Sequence, residues 1–108
     1  PRLQFVIGIA ALAYLDQYPE VKDAQIARLR DVAAMPGVEV RVITGFHAGM
    51  LGSFTILTPQ ATTRARPFTY VEDTDGGRYV EGDIVSDYEA VFRMVRERQS
   101  IDLEEYLR

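Results

Sequence analysis

His47 is the only histidine in the chain. It lies in the stretch Gly45-Phe46-His47-Ala48-Gly49-Met50-Leu51-Gly52, whose residue types invite a chemical reading. A histidine near neutral pH serves as a general base or a metal ligand. Catalysis needs a nucleophile and an orienting group beside it, and a metal needs several ligands. Nothing adjacent in sequence supplies either, so His47 reads as a loop histidine near a surface pocket. Gly45, Gly49 and Gly52 have the composition of a phosphate-cradling loop but not its pattern. The dinucleotide fingerprint places G-x-G-x-x-G between a strand and a helix, whereas a strand follows here, and no Gly-Lys-Ser/Thr ending is present. These glycines are better read as supplying positive φ angles in a long turn. Phe46, Met50 and Leu51, interleaved with them, have two readings. They cap the end of the core, or they touch a ligand or partner from a surface loop.

Glu72, Asp73 and Asp75 form an acidic cluster without the ligand order of a calcium loop, and an ordinary hairpin turn accounts for them. Ser53 lacks the G-x-S-x-G frame of a nucleophile elbow. Arg64 and Arg66 stand in a threonine-rich segment and read as solvated. Gln25 falls within the apolar arc of a helix, either at its wet edge or bonding backbone across the domain. No acid–base set converges, so the chain is not expected to be an enzyme, and neither a metal nor a cofactor is expected.

The elements that would position these residues follow from periodicity. Leu3–Ile9 is apolar on both faces, as in a central strand. Ala10–Leu15 extends that strand or forms a helical turn. Pro19 suits a first helical position, and Glu20–Met35 has helical spacing with Val21, Ile26, Leu29, Val32 and Ala33 on one side. Pro36-Gly37 stops this helix. Val38–Ile43 alternates strictly, as a half-buried strand does, and the helix before it permits a parallel crossover. Phe54–Leu57 and Phe68–Glu72 are further strands, and Asp75-Gly76-Gly77 turns the chain into a returning strand over Arg78–Glu81. Asp83 is a plausible N-cap for a second long helix, ending near Ser100, with Tyr88, Val91, Phe92 and Val95 on one face. Asp102 and Glu105 read as a capping box for a short last helix. The expected architecture is α+β: one mixed sheet of four to five strands, two long helices packed on it and a short C-terminal helix, all in a single domain over 1–108.

Composition restricts the function further. The chain has 108 residues, 47% hydrophobic and 26% charged, enough for one core. Its formal net charge of −4 and the absence of a Lys/Arg run argue against binding a phosphate backbone. Without cysteine it has no disulfide or thiolate chemistry, which fits a reducing cytoplasm. The longest apolar run, Phe5–Leu15, is well short of the ~20 residues of a membrane span. The chain begins at Pro1 in strand-like sequence, so a preceding part is expected in the complete protein.

Four collinear stretches resemble one family. They are Ala24–Leu29 followed by Pro36–Ile43, Gly45–Met50 followed by Gly52–Leu57, Tyr70-Val71-Glu72, and Tyr88–Phe92 with Val95. The family is the C-terminal domain of unknown function that follows an N-terminal helix-turn-helix in actinobacterial XRE-type, antitoxin-like transcription regulators. Where the family carries an Ala-Leu-Ser segment, this chain has Gln99-Ser100-Ile101. The resemblance implies a regulatory domain of a helix-turn-helix regulator, with DNA bound by a separate N-terminal domain. The expected partner is a small protein or a second copy in a homodimer, with no nucleic acid on this fragment and no membrane. Phe46, Met50, Leu51 and Tyr70 are the expected apolar anchors, and His47 and Glu72 the polar specificity groups. The alternative is a small-molecule sensor, for which a cavity of at least ~300 Å³ reached from the 45–52 loop is expected.

Overall fold

A computed structural model describes residues 2–44, 53–60, 63–73 and 75–108. The chain divides into two compact units, one formed by residues 1–45 with 95–108, the other by residues 46–94.

In the first unit, β1 (Leu3–Gly8) leads into a short helix α1 (Ile9–Ala13), a 3₁₀ turn (Tyr14–Gln17) and the long α2 (Pro19–Ala33). The ambiguous Ala10–Leu15 segment is therefore helical. Pro19 occupies the first turn of α2, where its missing N–H is not needed. Gly37, at φ 78°, reverses the chain after the helix. The chain then enters β2 (Val38–Ile43), which runs parallel to β1 in the register Leu3↔Val38 through Gly8↔Ile43. Alternation along β2 puts Val38, Val40 and Val42 on one face. Val40 and Val42 join Leu12 and Leu103 in the core, and Ile7, Ile26, Leu29 and Ala33 pack around them. Burying a side chain such as Val42 or Leu103 contributes about 1.5–3 kcal/mol. Val21, placed on the same helical arc by its spacing, is instead 55% exposed, because it lies in the first turn of α2, outside the stretch that meets the core. Gln25 is also exposed, so its amide is at the wet edge.

The second unit is an antiparallel meander, β3 (Phe54–Leu57), β4 (Phe68–Asp73) and β5 (Gly76–Val80), in the order β3-β4-β5. Helix α3 (Ile84–Arg98) follows, and its last residues, from Val95, belong to the first unit. Phe54 meets Tyr88 of α3 with ring centroids 5.1 Å apart. Thr69, on the same sheet face as Phe54 by register, is fully buried.

The expected single mixed sheet of four to five strands carrying two long helices does not form: the described residues make two sheets of three strands. The cause lies after α3. Ser100–Asp102, read from sequence as helix end and cap, is a strand, β6, antiparallel to β2. With β1 on one side and β6 on the other, β2 has no edge left for β3, which pairs with β4 instead. The same order places β1 at the sheet edge rather than at its centre, and Leu3 and Phe5 are correspondingly exposed. Asp102 caps the last helix, α4 (Leu103–Leu107), by accepting a hydrogen bond from the Glu104 amide at 3.1 Å. Among the described residues no helix is long and apolar enough to cross a membrane.

Candidate interaction surface

Strand β4 alternates Phe68-Thr69-Tyr70-Val71-Glu72. In a pleated strand the odd and even members of such a run face opposite ways. Thr69 and Val71 therefore share one face with Phe54, Ile56 and Val80, their register partners. Phe68, Tyr70 and Glu72 take the other face, with Leu57 and Thr55 from β3 and Tyr79 from β5. This second face is the more open one. Tyr79 is 71% exposed, Leu57 is 42% exposed, and Thr55 and Glu72 are exposed.

Three rings form a row across this face. Tyr79 lies 5.0 Å from Tyr70 and 5.8 Å from Phe68 between centroids, tilted 45° and 58° to them. Such tilted pairs are favourable beyond their buried area. Gly77 sets the position of the Tyr70 ring, since a Cβ there would overlap the Tyr70 phenol. Register pairs Gly77 with Glu72, so the phenol reaches toward the position opposite the Glu72 backbone. The Glu72 N–H donates to the Ser53 carbonyl at 3.0 Å, which carries the β3–β4 pairing one step past Phe54.

Of the expected contact residues, Tyr70 and Glu72 thus share one face. Phe46, His47, Met50 and Leu51 lie outside the described residues, as do Gly45, Gly49 and Gly52. Phe68, Tyr79 and Leu57 were missed in sequence. The i, i+2, i+4 spacing of Phe68, Tyr70 and Glu72 marks a common face, but Tyr79 joins it only once the hairpin register is known. Arg64 and Arg66 are exposed. Among the described residues no group of three or more His, Asp or Glu side chains is placed to hold a metal.

Open clefts lie among the described residues of the first unit. One, of about 320 Å³, is lined by Leu12, Asp16, Lys22, Ile26, Tyr106 and Leu107. Lys22 Nζ sits 2.5 Å from Asp16 there, and that hydrogen bond and charge raise the lysine pKa. Another, of about 390 Å³, lies along Val38, Val40, Leu103 and the end of α2. Tyr70 and Glu72 line neither.

A polar network holds the end of α3 to β2. Arg96 forks onto Glu39 through Nε–Oε1 at 2.6 Å and Nη2–Oε2 at 3.0 Å. This hydrogen bonding holds the Glu39 carboxyl below the ordinary glutamate range and raises Arg96. Arg41 donates to Ser100 Oγ and to the Ser100 carbonyl, both at 2.8 Å. Ser100 Oγ in turn donates to the Arg96 carbonyl at 2.7 Å.

Residues 1–100 match the family model described as Domain of unknown function (DUF5753). No curated protein and no solved structure matches the chain.

Proposed function

The chain belongs to the Domain of unknown function (DUF5753) family, and from that premise we propose that it is a binding module rather than an enzyme. In this reading it is the C-terminal regulatory domain of a cytoplasmic helix-turn-helix regulator of the XRE, antitoxin-like type from an actinobacterium. Engagement of a small partner protein, or of a second copy, changes how an N-terminal domain holds DNA. The observation that carries the reading is the row Phe68–Tyr79–Tyr70, in which Tyr79 is exposed and Phe68 and Tyr70 are half-buried, with the exposed Glu72 on the same face. Aromatic side chains on a rigid strand scaffold lose little entropy when covered and supply most of the affinity in protein interfaces. The formal charge of −4 also suits a module that leaves DNA to another domain.

The small-molecule alternative draws support from the 320 Å³ cleft, whose volume is at the lower end for a ligand site. That cleft is lined by residues of the first unit, and Tyr70 and Glu72 are not among them.

A mobility-shift comparison tests the proposal, using promoter DNA of the protein's own gene. The complete gene product should bind, and its binding should change when the co-expressed partner is added. The 108-residue chain alone should not bind. Tight, sequence-specific DNA binding by that chain alone would remove the regulatory reading.

A further inference from the structure

The partner-binding reading leaves the chemistry of the partner open, and the face described above narrows it. Four of its side chains are apolar or aromatic: Leu57, Phe68, Tyr70 and Tyr79. Its charged side chain is Glu72, which is exposed. Arg78, the basic residue of the hairpin, pairs with Val71 and so faces the opposite side. Among the described strand residues, this face therefore offers ring faces and a carboxylate and no cation, within a chain of net charge −4.

We propose that this face, as the partner site of the regulatory reading on which the inference rests, takes an arginine-bearing segment of a partner protein. The guanidinium stacks on the exposed Tyr79 ring, and its planar fork reaches the Glu72 carboxylate. Arginine is favoured over lysine because a planar cation can both stack on a ring and bind a carboxylate with two hydrogen bonds. Aromatic rows on sheet faces also stack nucleobases, but the phosphates that come with those bases would meet Glu72 and an acidic chain. A second copy would set Glu72 against Glu72 without an arginine from this face to separate them. Charge complementarity thus selects a basic protein segment.

The experiment titrates the 108-residue chain with synthetic peptides that alternate serine with arginine, lysine or glutamate, and with oligouridine. Calorimetry and tyrosine fluorescence give the readout, the latter being clean because the chain has no tryptophan. The arginine peptide should bind most tightly, the lysine peptide more weakly, and the glutamate peptide and oligouridine not at all. Tyr79→Ala should weaken the arginine peptide about fivefold, and Glu72→Gln should weaken it and flatten its salt dependence. Both positions are exposed, and circular dichroism confirms that each variant is folded before titration. Equal binding of the lysine and arginine peptides, unchanged binding by Tyr79→Ala, or preferential binding of oligouridine would each overturn the proposal. The readout involves no promoter DNA. A failure here leaves the regulatory reading standing, and promoter binding by the chain alone would refute that reading without touching the peptide result.

Discussion

The Tyr70 phenol occupies the space that a side chain at residue 77 would need. Gly77 is therefore a packing requirement of the aromatic row. Its backbone is not among the positive-φ glycines, so conformational freedom is not the reason for it. Gly77→Ala should cost about 1–3 kcal/mol, the range for overpacking, because the Tyr70 ring must turn away from its place beside Tyr79. In a Tyr70→Ala background the same substitution should be nearly neutral, since the obstructing ring is gone. Urea unfolding of the four proteins in that cycle measures the coupling. An equal cost in both backgrounds would show that Tyr70 is not what Gly77 accommodates.

The Glu39–Arg96 fork predicts an acid-sensitive contribution to stability. Arg96 lowers the Glu39 pKa in the folded state, so the folded protein binds this proton less readily than the unfolded chain does. The stabilisation is present above the unfolded glutamate pKa of about 4.3. It is lost as pH falls from there through the folded value. Thermal unfolding followed from pH 6 to pH 3 should show a steeper decline for the native protein than for Glu39→Gln. Identical slopes would mean that the pair contributes nothing to the acid limb.

Ser100 joins two elements through one hydroxyl, accepting from Arg41 and donating to the Arg96 carbonyl while itself buried. Ser100→Ala removes both bonds and leaves the Arg41 guanidinium its bond to the Ser100 carbonyl. A loss of about 1–3 kcal/mol is expected, read as a lower urea midpoint with an unchanged slope. Ser100→Thr, which keeps the hydroxyl, should lose less. If both variants behave alike, the hydroxyl bonds are not what holds β6 in place.

What the sequence made legible was local. Pro19 and Pro36-Gly37 bracket α2, strict alternation marks β2, and the glycine pair marks the β4–β5 hairpin, each through chemistry confined to a few residues. Strand partnership beyond the β1–β2 crossover and the β4–β5 hairpin was not legible, because it depends on which edges are already taken. A three-residue strand at Ser100–Asp102 carries no period of its own, yet it occupies the second edge of β2 and so decides that there are two sheets. Tyr79 joined the surface through the register of the β4–β5 hairpin, which the turn residues alone do not fix. Val21 illustrates the limit of a helical wheel: angular position on α2 suggested burial, but a helix buries only the length of its face that has something to pack on.

That contrast gives the last prediction. Leu103 is 1% exposed and belongs to the core with Val42, whereas Val21 stands in solvent. Leu103→Ala removes buried methyl groups and leaves a cavity, so it should cost about 2–5 kcal/mol. Val21→Ala should change stability by no more than about 0.5 kcal/mol, and the better helix propensity of alanine offsets part of any loss. Because Leu103 opens a helix of only five residues, its contribution comes from tertiary burial rather than from helix formation. Guanidinium unfolding of the two variants separates these cases. A large loss at Val21 would place a packing partner over the first turn of α2, and a small loss at Leu103 would show that α4 can leave the core at little cost.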